Sequence, residues 1–477
     1  MARISLAVAG AVAASLLWGA TVWGQEADGG KWSFEPAKDE FSPQALLDLR
    51  GLNEKVAGET GFVKRSADGM GFVTGGGKAL RLWGVGDGAW TKLGAQPAEL
   101  ERHARWLAKR GINTVRVHCS LGPGKNQQIS DVNRADLEGL WTTVAAMKKE
   151  GIYTIFSPYW AVASKITPAM GRLDSGGDSQ GLLFFDKNLQ TAYKAWMKVV
   201  LTEKNPHTGI ALGQDPSLAV VELQNEDSLL FWTSQNIKGP AKTELRRQFG
   251  AFLKKKYGSL EKAQAAWENA VPAANEDAPD SIDKGEAGFY MMWQLTQPHT
   301  GGMAKRVADQ VEFYTTTMYN FNKEMGDYIH RELGSKVLVN AGNWRTADNV
   351  QLLDAERYSY SANEVMAINR YYAPLHTGKN NGWAIDRGDR FQDLSCLLAP
   401  RDFPIGLKQV AGFPILITES SWVPPLGYQS EGPFLVAAYQ SLTGVACYYW
   451  FATSEADWRM PGSANGFMPS EGKLDIR

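Results

Sequence analysis

The chain alternates between short apolar runs and longer segments in which apolar residues recur every three or four positions. In residues 96–110, Leu100 and Leu107 lie on one helical face, and Gly111 follows them. A glycine there can adopt the left-handed conformation that ends a helix. The apolar run at residues 112–118 then predicts a buried strand. Because this order of helix and strand recurs along the chain, the pattern predicts parallel strands joined by helices.

Eight apolar runs qualify as strands of one sheet: residues 80–85, 112–118, 152–157, 218–223, 336–341, 365–371, 414–418 and 445–450. Eight parallel strands with intervening helices are typical of an α/β fold, the closed (β/α)8 or TIM barrel. An open, doubly wound sheet is the alternative. It would place a glycine-rich phosphate-binding turn after a strand, and no such motif stands in that position.

The sequence is short after the eighth predicted strand. Residues 452–477 contain Pro461 and several glycines but no helical stripe of apolar residues. A complete barrel needs an eighth helix to cover its last strand. We therefore expect a barrel that lacks its last helix, with an exposed apolar patch on strands eight and one.

The first residues have the pattern of a secretory signal peptide. Arg3 is followed by an apolar run at residues 6–22, and Val22 and Gly24 are small residues placed as at a cleavage site. A membrane anchor is the alternative, but the run is short for one. We predict a signal peptide at residues 1–24, a polar lead-in at 25–43 and the barrel at 44–477. Such a protein is secreted or periplasmic and has no stable membrane insertion.

The composition excludes several kinds of partner. The 477 residues carry 50 Lys and Arg against 51 Asp and Glu, so no overall positive field attracts nucleic acid. The three cysteines are too few and too dispersed for a disulfide scaffold. The six histidines form no cluster with metal-ligand spacing, so we predict neither a metal nor another cofactor. The 17 Trp, 16 Tyr and 19 Phe supply rings for the core and for stacking against a ligand.

Two glutamates follow predicted strands on opposite sides of the barrel. Reactive groups in such a barrel project from the C-terminal ends of the strands, where Asn225-Glu226 ends strand four and Glu419 ends strand seven. Paired carboxyl groups suit glycoside cleavage, because one protonates the leaving oxygen while the other attacks or activates water. Arg116 on strand two would keep the attacking carboxylate ionised. Asn225 is placed to donate to a sugar hydroxyl.

Several further side chains are candidates for binding the sugar. Tyr371, near the end of strand six, is placed to orient a carboxylate, and Trp450 at the end of strand eight to form the floor of a sugar subsite. Trp160 follows strand three, where a ring can stack on a glycan. His118 is either a sugar-binding or a core histidine. Other rings that follow strands are Trp90, Phe231, Trp232, Trp344, Trp383 and Trp422.

These residues resemble the clan A glycoside hydrolases, especially the cellulase and mannanase-like family 5 and the family 42-like enzymes. The resemblance covers residues 46–450 and includes the run at 82–86, Arg116, Asn225-Glu226 and Glu419. It implies that Glu226 is the acid/base and Glu419 the nucleophile. It also implies supporting roles for Arg116, Asn225, Tyr371 and Trp450. Because similar enzymes often continue into a β-rich domain, it implies a chain truncated at its C-terminus.

Three positions depart from the family pattern. Asp87 stands where Asn is common, residues 157–160 end strand three without the usual His, and residues 369–371 read Asn-Arg-Tyr where His-x-Tyr is typical of family 5. These positions bind sugar or tune the carboxylates. The resemblance therefore implies the glutamate pair and leaves the substrate and the optimum pH open.

We expect a retaining glycosidase that acts on a β-linked oligo- or polysaccharide through a covalent glycosyl-enzyme intermediate. One alternative is a catalytically inactive barrel that binds carbohydrate, which would bind glycans without releasing product. Another is a transglycosylase with the same glutamate pair, which would form transfer products at high sugar concentration.

Overall fold

A computed structural model describes residues 39, 41–87, 96–124, 127–163, 166–372, 376–378, 389–423 and 426–453. The signal peptide predicted at residues 1–24 and most of the lead-in at 25–43 lie outside this part of the chain. Residues Leu46–Arg477 form one compact unit. The other unit, Met1–Ala45, is described only at residues 39 and 41–45, which contain a turn.

Eight parallel strands form the central sheet. Their bounds are β4 Leu82–Asp87, β5 Thr114–Cys119, β6 Tyr153–Pro158, β7 Leu218–Glu222, β8 Leu338–Asn340, β9 Met366–Asn369, β12 Ile415–Ser420 and β13 Cys447–Thr453. Neighbouring strands follow the order β8-β7-β6-β5-β4-β13-β12-β9. A parallel bridge between Asn340 and Val365 connects β8 to the start of β9 and so closes the ring. The predicted (β/α)8 barrel is confirmed, and each of the eight predicted runs overlaps a barrel strand.

The helices lie between the barrel strands in chain order. They are α1 Pro97–Lys109, α2 Arg134–Lys149, α3 Trp160–Ala163, α4 Lys187–Thr202, α5 Gly239–Tyr257, α6 Leu260–Ala266, α7 Met292–Leu295, α8 Gly301–Asp327, α9 Leu353–Tyr360 and α10 Glu431–Thr443. A π-helical turn, Tyr328–Glu332, extends α8. Between β9 and β12 the described residues contain a hairpin, β10 His376–Thr377 with β11 Arg390–Phe391, in place of a long helix.

Side-chain caps mark the start of two of the long helices. The Asn133 side chain accepts hydrogen bonds from the Ala135 and Asp136 amides at the start of α2. Asp186 caps α4 in the same way. Such a cap contributes about 1 kcal/mol, because it pairs amides that have no partner within the helix.

A small antiparallel sheet closes the N-terminal end of the barrel. It consists of β1 Lys64–Arg65, β2 Phe72–Val73 and β3 Ala79–Leu80. Phe72, with Ala57 and Val63, packs against residues at the starts of the barrel strands, such as Leu82 and Leu416. With this end filled by apolar side chains, the opposite end, where the strands finish, is the one that can hold a reactive site.

The interior of the barrel holds a large side chain, Tyr449, that needs a glycine beside it. Tyr449 on β13 lies inside, and its hydroxyl pairs with Thr114 Oγ1 at 2.8 Å. A Cβ at Gly84 would lie 2.5 Å from the Tyr449 ring, so the absence of a side chain at Gly84 makes room for it. This packing joins β4, β5 and β13 into one rigid wall.

The exposed apolar patch predicted on strands eight and one is not found on the described strands. Leu82, Tyr448 and Tyr449 are buried. Large exposed apolar side chains lie instead on α10, where Phe434 is 75% and Leu442 80% exposed. The predicted lack of an eighth helix concerns residues 454–477, which lie outside the described residues.

Candidate active site

Arg116 lies at the centre of a hydrogen-bonded cluster at the C-terminal end of the barrel. It is fully buried, and its Nη1 donates to Glu419 Oε1 over 2.7 Å. Its Nη2 donates to oxygen atoms of Ser157, Glu222 and Asn225, each at 2.7 Å. A buried cation needs such partners to replace its lost hydration. The guanidinium therefore links the ends of β5, β6, β7 and β12.

Glu419, on β12, is held as a carboxylate. Its Oε2 accepts a hydrogen bond from the Tyr371 hydroxyl over 2.7 Å, and its Oε1 faces Arg116. Burial by itself would raise the pKa of Glu419, but the charge of Arg116 and the hydrogen bonds lower it below its usual value. An ionised carboxylate with a fixed orientation can act as a nucleophile.

Glu226, just after β7, has the opposite electrostatic environment. Burial, followed by the negative charge of Glu419, raises the pKa of Glu226 to about 7. Its Oε1 accepts a hydrogen bond from Asn369 Nδ2 over 2.8 Å. A carboxyl group that keeps its proton near neutral pH, close to one that is ionised, is the division of roles that acid and nucleophile require.

The backbone of Glu226 adopts a conformation that is rare outside glycine. Its φ angle is 50°, in the left-handed region. For a residue with a Cβ this costs about 1–2 kcal/mol. The Glu226 N–H donates to Asn343 Oδ1 over 2.9 Å, which helps to hold the conformation. Strain of this kind concentrates at functional sites, where surrounding contacts maintain it.

Two fully buried residues beneath the glutamate pair, Glu222 and Asn343, were not predicted as site residues. Asn343 Nδ2 donates to Asn225 Oδ1 over 2.9 Å and to both carboxylate oxygens of Glu222 at 3.3 Å. Burial raises the pKa of Glu222, and Arg116 opposes that shift. A charged residue inside the apolar run of β7 was a signal that could have identified Glu222. Asn343 lies in a loop with no comparable signal.

His118 lies beside the cluster as a neutral side chain. Its Nδ1 pairs with Ser157 Oγ at 3.0 Å, and its ring packs on Tyr159 with the centroids 4.9 Å apart. Burial, followed by the charge of Arg116, lowers the pKa of His118 to about 4. Burial, with a smaller contribution from the charge of Glu226, raises the pKa of Tyr159 to about 12. The His118 and Tyr159 rings therefore lie close enough to the glutamate pair and Arg116 to respond to their charges.

Trp450, predicted as the floor of a sugar subsite, lies in a cluster of aromatic rings on the outer face of the barrel. Its ring packs against Tyr448 at 5.1 Å and Trp422 at 5.9 Å, in the layer between the sheet and α10. Side chains alternate between the faces of a strand, so the next residue, Phe451, points inward. The Phe451 ring meets the edge of Tyr371 at 6.2 Å.

Trp160 is also misassigned by the sequence prediction. It is 2% exposed and packs against Tyr193 and Trp196 at 5.2 and 5.9 Å. A ring enclosed in this way belongs to the apolar core between the barrel and its helices. It has no free face for a glycan.

Other rings form a wall on the Glu226 side of the barrel mouth. Phe231 meets Trp344 edge-on at 5.0 Å, and the exposed Arg345 guanidinium lies 5.8 and 5.6 Å from these rings. Trp232 is partly exposed beside them, whereas Trp422 is buried. Trp90 and Trp383 lie outside the described residues.

Among the described residues, no group of three or more His, Cys, Asp or Glu side chains is arranged to hold a metal ion. In the same part of the chain, no helix is both long and apolar enough to span a membrane.

A glutamate whose pKa is raised and one whose pKa is lowered meet at the C-terminal mouth of a (β/α)8 barrel, and this is an arrangement that can support glycoside cleavage. The chain is similar to mannan endo-1,4-beta-mannosidase 5 of Arabidopsis thaliana, with 27% identity over 201 residues that cover 37% of this chain and 43% of the relative. It is also 27% identical over 220 residues to mannan endo-1,4-beta-mannosidase 2 of that plant, covering 42% and 47%. These matches confirm the resemblance to cellulase and mannanase-like glycoside hydrolases, and they span less than half of either relative.

No family model matches the chain. Among solved structures, the cold-adapted β-galactosidase of Rahnella sp. R3 superposes with a TM-score of 0.50 and 15% identity, over 81% of this chain and 52% of that enzyme. This similarity shows a shared fold.

Proposed function

We propose that the protein is a retaining glycoside hydrolase in which Glu226 is the acid/base and Glu419 the nucleophile. The observation that carries the proposal is the opposite electrostatic environment of the two glutamates. Burial and a neighbouring carboxylate keep Glu226 protonated to about pH 7, while Arg116 and Tyr371 keep Glu419 ionised.

In the first step Glu226 transfers its proton to the glycosidic oxygen as the bond to the anomeric carbon breaks. An oxygen of Glu419 forms a bond to that carbon at the same time. In the second step Glu226 removes a proton from water, whose oxygen attacks the anomeric carbon, and the bond to Glu419 breaks. Both carboxyl groups then return to their starting states.

The supporting residues have distinct tasks in this scheme. Asn225 Oδ1 is occupied by Arg116 and Asn343, so its Nδ2 is the group left to donate to a sugar hydroxyl. Phe451 and the Phe231–Trp344 pair offer ring faces and edges for the sugars on either side of the cleaved bond.

We propose a β-1,4-linked mannan as the first substrate to test, because both relatives described above are mannan endo-1,4-beta-mannosidases. A secreted or periplasmic location fits a polymer substrate and the signal peptide predicted at residues 1–24. N-terminal sequencing of the exported protein tests the location.

The catalytic assignment is tested with Glu226→Gln and Glu419→Gln on β-mannan and on aryl β-mannosides and β-glucosides. Each change is expected to lower turnover by about 100-fold to 10,000-fold, since it removes the proton donor or the nucleophile. Glu101→Gln, a partly exposed position on α1, is the matched control. Proton NMR of the first-formed product is expected to show retained anomeric configuration.

Two results would contradict the assignment. Unchanged turnover in both glutamine variants would exclude the pair, and an inverted product would exclude the covalent intermediate. Glycan binding without product from the native protein favours an inactive binding barrel. A majority of transfer products favours a transglycosylase.

A further inference from the structure

We propose that Asn343 is a positioning residue that sets the backbone conformation of Glu226 and so aims its carboxyl group. The inference rests on the role of Glu226 proposed above. It concerns a side chain that does not act on the substrate itself but holds the residue that does.

Asn343 is linked to Glu226 directly through its side chain and indirectly through Asn369. Its Oδ1 accepts the hydrogen bond from the Glu226 N–H over 2.9 Å, at the residue whose φ is 50°. Its backbone carbonyl accepts from the Asn369 N–H over 2.7 Å, and the Asn369 side chain in turn donates to Glu226 Oε1. Asn343, in the loop after β8, thus holds both the backbone of Glu226 and Asn369, the residue that donates to the Glu226 carboxyl group.

The amide of Asn343 can adopt only one orientation in these surroundings. Its Nδ2 donates to Asn225 Oδ1 and faces the Glu222 carboxylate, which offers only acceptors. The Oδ1 must therefore face the Glu226 N–H. Glu222 is itself held by Arg116, so the orientation of Asn343 is linked to the guanidinium that also binds Glu419.

Loss of the Asn343 amide would leave the Glu226 N–H without its acceptor. The strained left-handed backbone would lose that stabilising hydrogen bond, and the residue would relax toward the right-handed region. Its carboxyl group would move away from Asn369. The predicted consequence is a weaker general acid with an intact nucleophile.

The test compares Asn343→Leu with Asn340→Leu. Asn340 Nδ2 also donates to Glu222, over 3.0 Å, whereas among the described residues Asn340 forms no hydrogen bond with Glu226. Each change removes one amide that supports Glu222, so an effect transmitted only through Glu222 would appear in both variants. Asn343→Ser, which is smaller and leaves room for water, is measured in parallel in case the leucine variant fails to fold. Thermal unfolding reports the folding of every variant.

The readout is kcat/KM, which reports formation of the glycosyl-enzyme, on aryl β-mannosides with different leaving groups. A dinitrophenyl group departs without protonation, whereas a phenyl group needs the acid. In Asn343→Leu we expect a loss of about 100-fold on the phenyl substrate and less than about tenfold on the dinitrophenyl substrate. In Asn340→Leu we expect equal losses on both. Equal losses in the Asn343 variants as well would overturn the inference and leave the proposed function standing.

A second readout does not depend on turnover. The Glu226 carboxyl carbon, labelled with ¹³C, is titrated by NMR in the native protein and in the variants. We expect an altered titration in the Asn343 variants and a native one in Asn340→Leu. If the native protein hydrolyses neither β-mannan nor any aryl glycoside, the proposed function fails. The titration then decides the inference alone, and an unchanged titration of Glu226 in the Asn343 variants overturns it.

Discussion

Tyr371→Phe gives the sharpest test of how the site ionises Glu419. The Tyr371 hydroxyl donates to Glu419 Oε2 over 2.7 Å, and the change to Phe removes this bond while keeping the ring that meets Phe451. A hydrogen bond to a charged group contributes about 1.5–3 kcal/mol, and about 1.4 kcal/mol corresponds to one pKa unit. The carboxylate of Glu419 loses that stabilisation in the variant, so its pKa rises.

The assay is kcat/KM on an aryl β-mannoside as a function of pH. In the proposed mechanism activity requires Glu419 to be ionised and Glu226 to be protonated. The fall in activity at acidic pH therefore reports the pKa of Glu419, and the fall at alkaline pH reports the pKa of Glu226. The alkaline limb of the native enzyme is expected near pH 7, where burial and Glu419 place the pKa of Glu226. In Tyr371→Phe the acidic limb moves toward neutral pH by about one to two pH units.

The matched control is Tyr358→Phe, an exposed tyrosine on α9 that stacks on Tyr319, for which we expect the native profile. An acidic limb that stays in place in Tyr371→Phe, with folding intact, would refute the reasoning. So would a shift of equal size in the alkaline limb, because that limb reports Glu226.

Three further predictions concern stability and substrate binding. Arg116→Met leaves two buried glutamates without their cation and should lower the free energy of unfolding by about 3–5 kcal/mol, measured by urea denaturation. Burial raises the pKa of Glu356 to about 7, so between about pH 4 and 7 the unfolded chain loses a proton that the native state keeps, and stability falls as pH rises. Glu356→Gln should reduce that slope, and a slope equal to the native one would contradict this assignment. Phe451→Ala should raise KM for mannan oligosaccharides, whereas Trp450→Ala should lower the melting temperature with little change in KM; the reverse pattern would place Trp450 in the sugar site.

Much of the barrel follows from features local in the sequence. Helical stripes such as Leu100 and Leu107, and short apolar runs, reflect which side of an element is buried, and that requirement acts over a few residues. The strand ends then located Arg116, Glu226 and Glu419, because the reactive face of a barrel lies where its strands finish. These positions needed no knowledge of which strand lies beside which.

What remained hidden depends on contacts between distant segments. Asn343 is 117 positions from Glu226 in the sequence, although its side chain accepts a hydrogen bond from the Glu226 backbone amide. No local pattern therefore identifies Asn343. The sequence by itself determined the eight strands and the residues at their ends. Only the tertiary structure decided that Phe451 points inward and Trp450 outward, that Trp160 is core, and that Asn343 holds Glu226. Side-chain direction and hydrogen-bond partners are determined by how the strands align when the barrel closes.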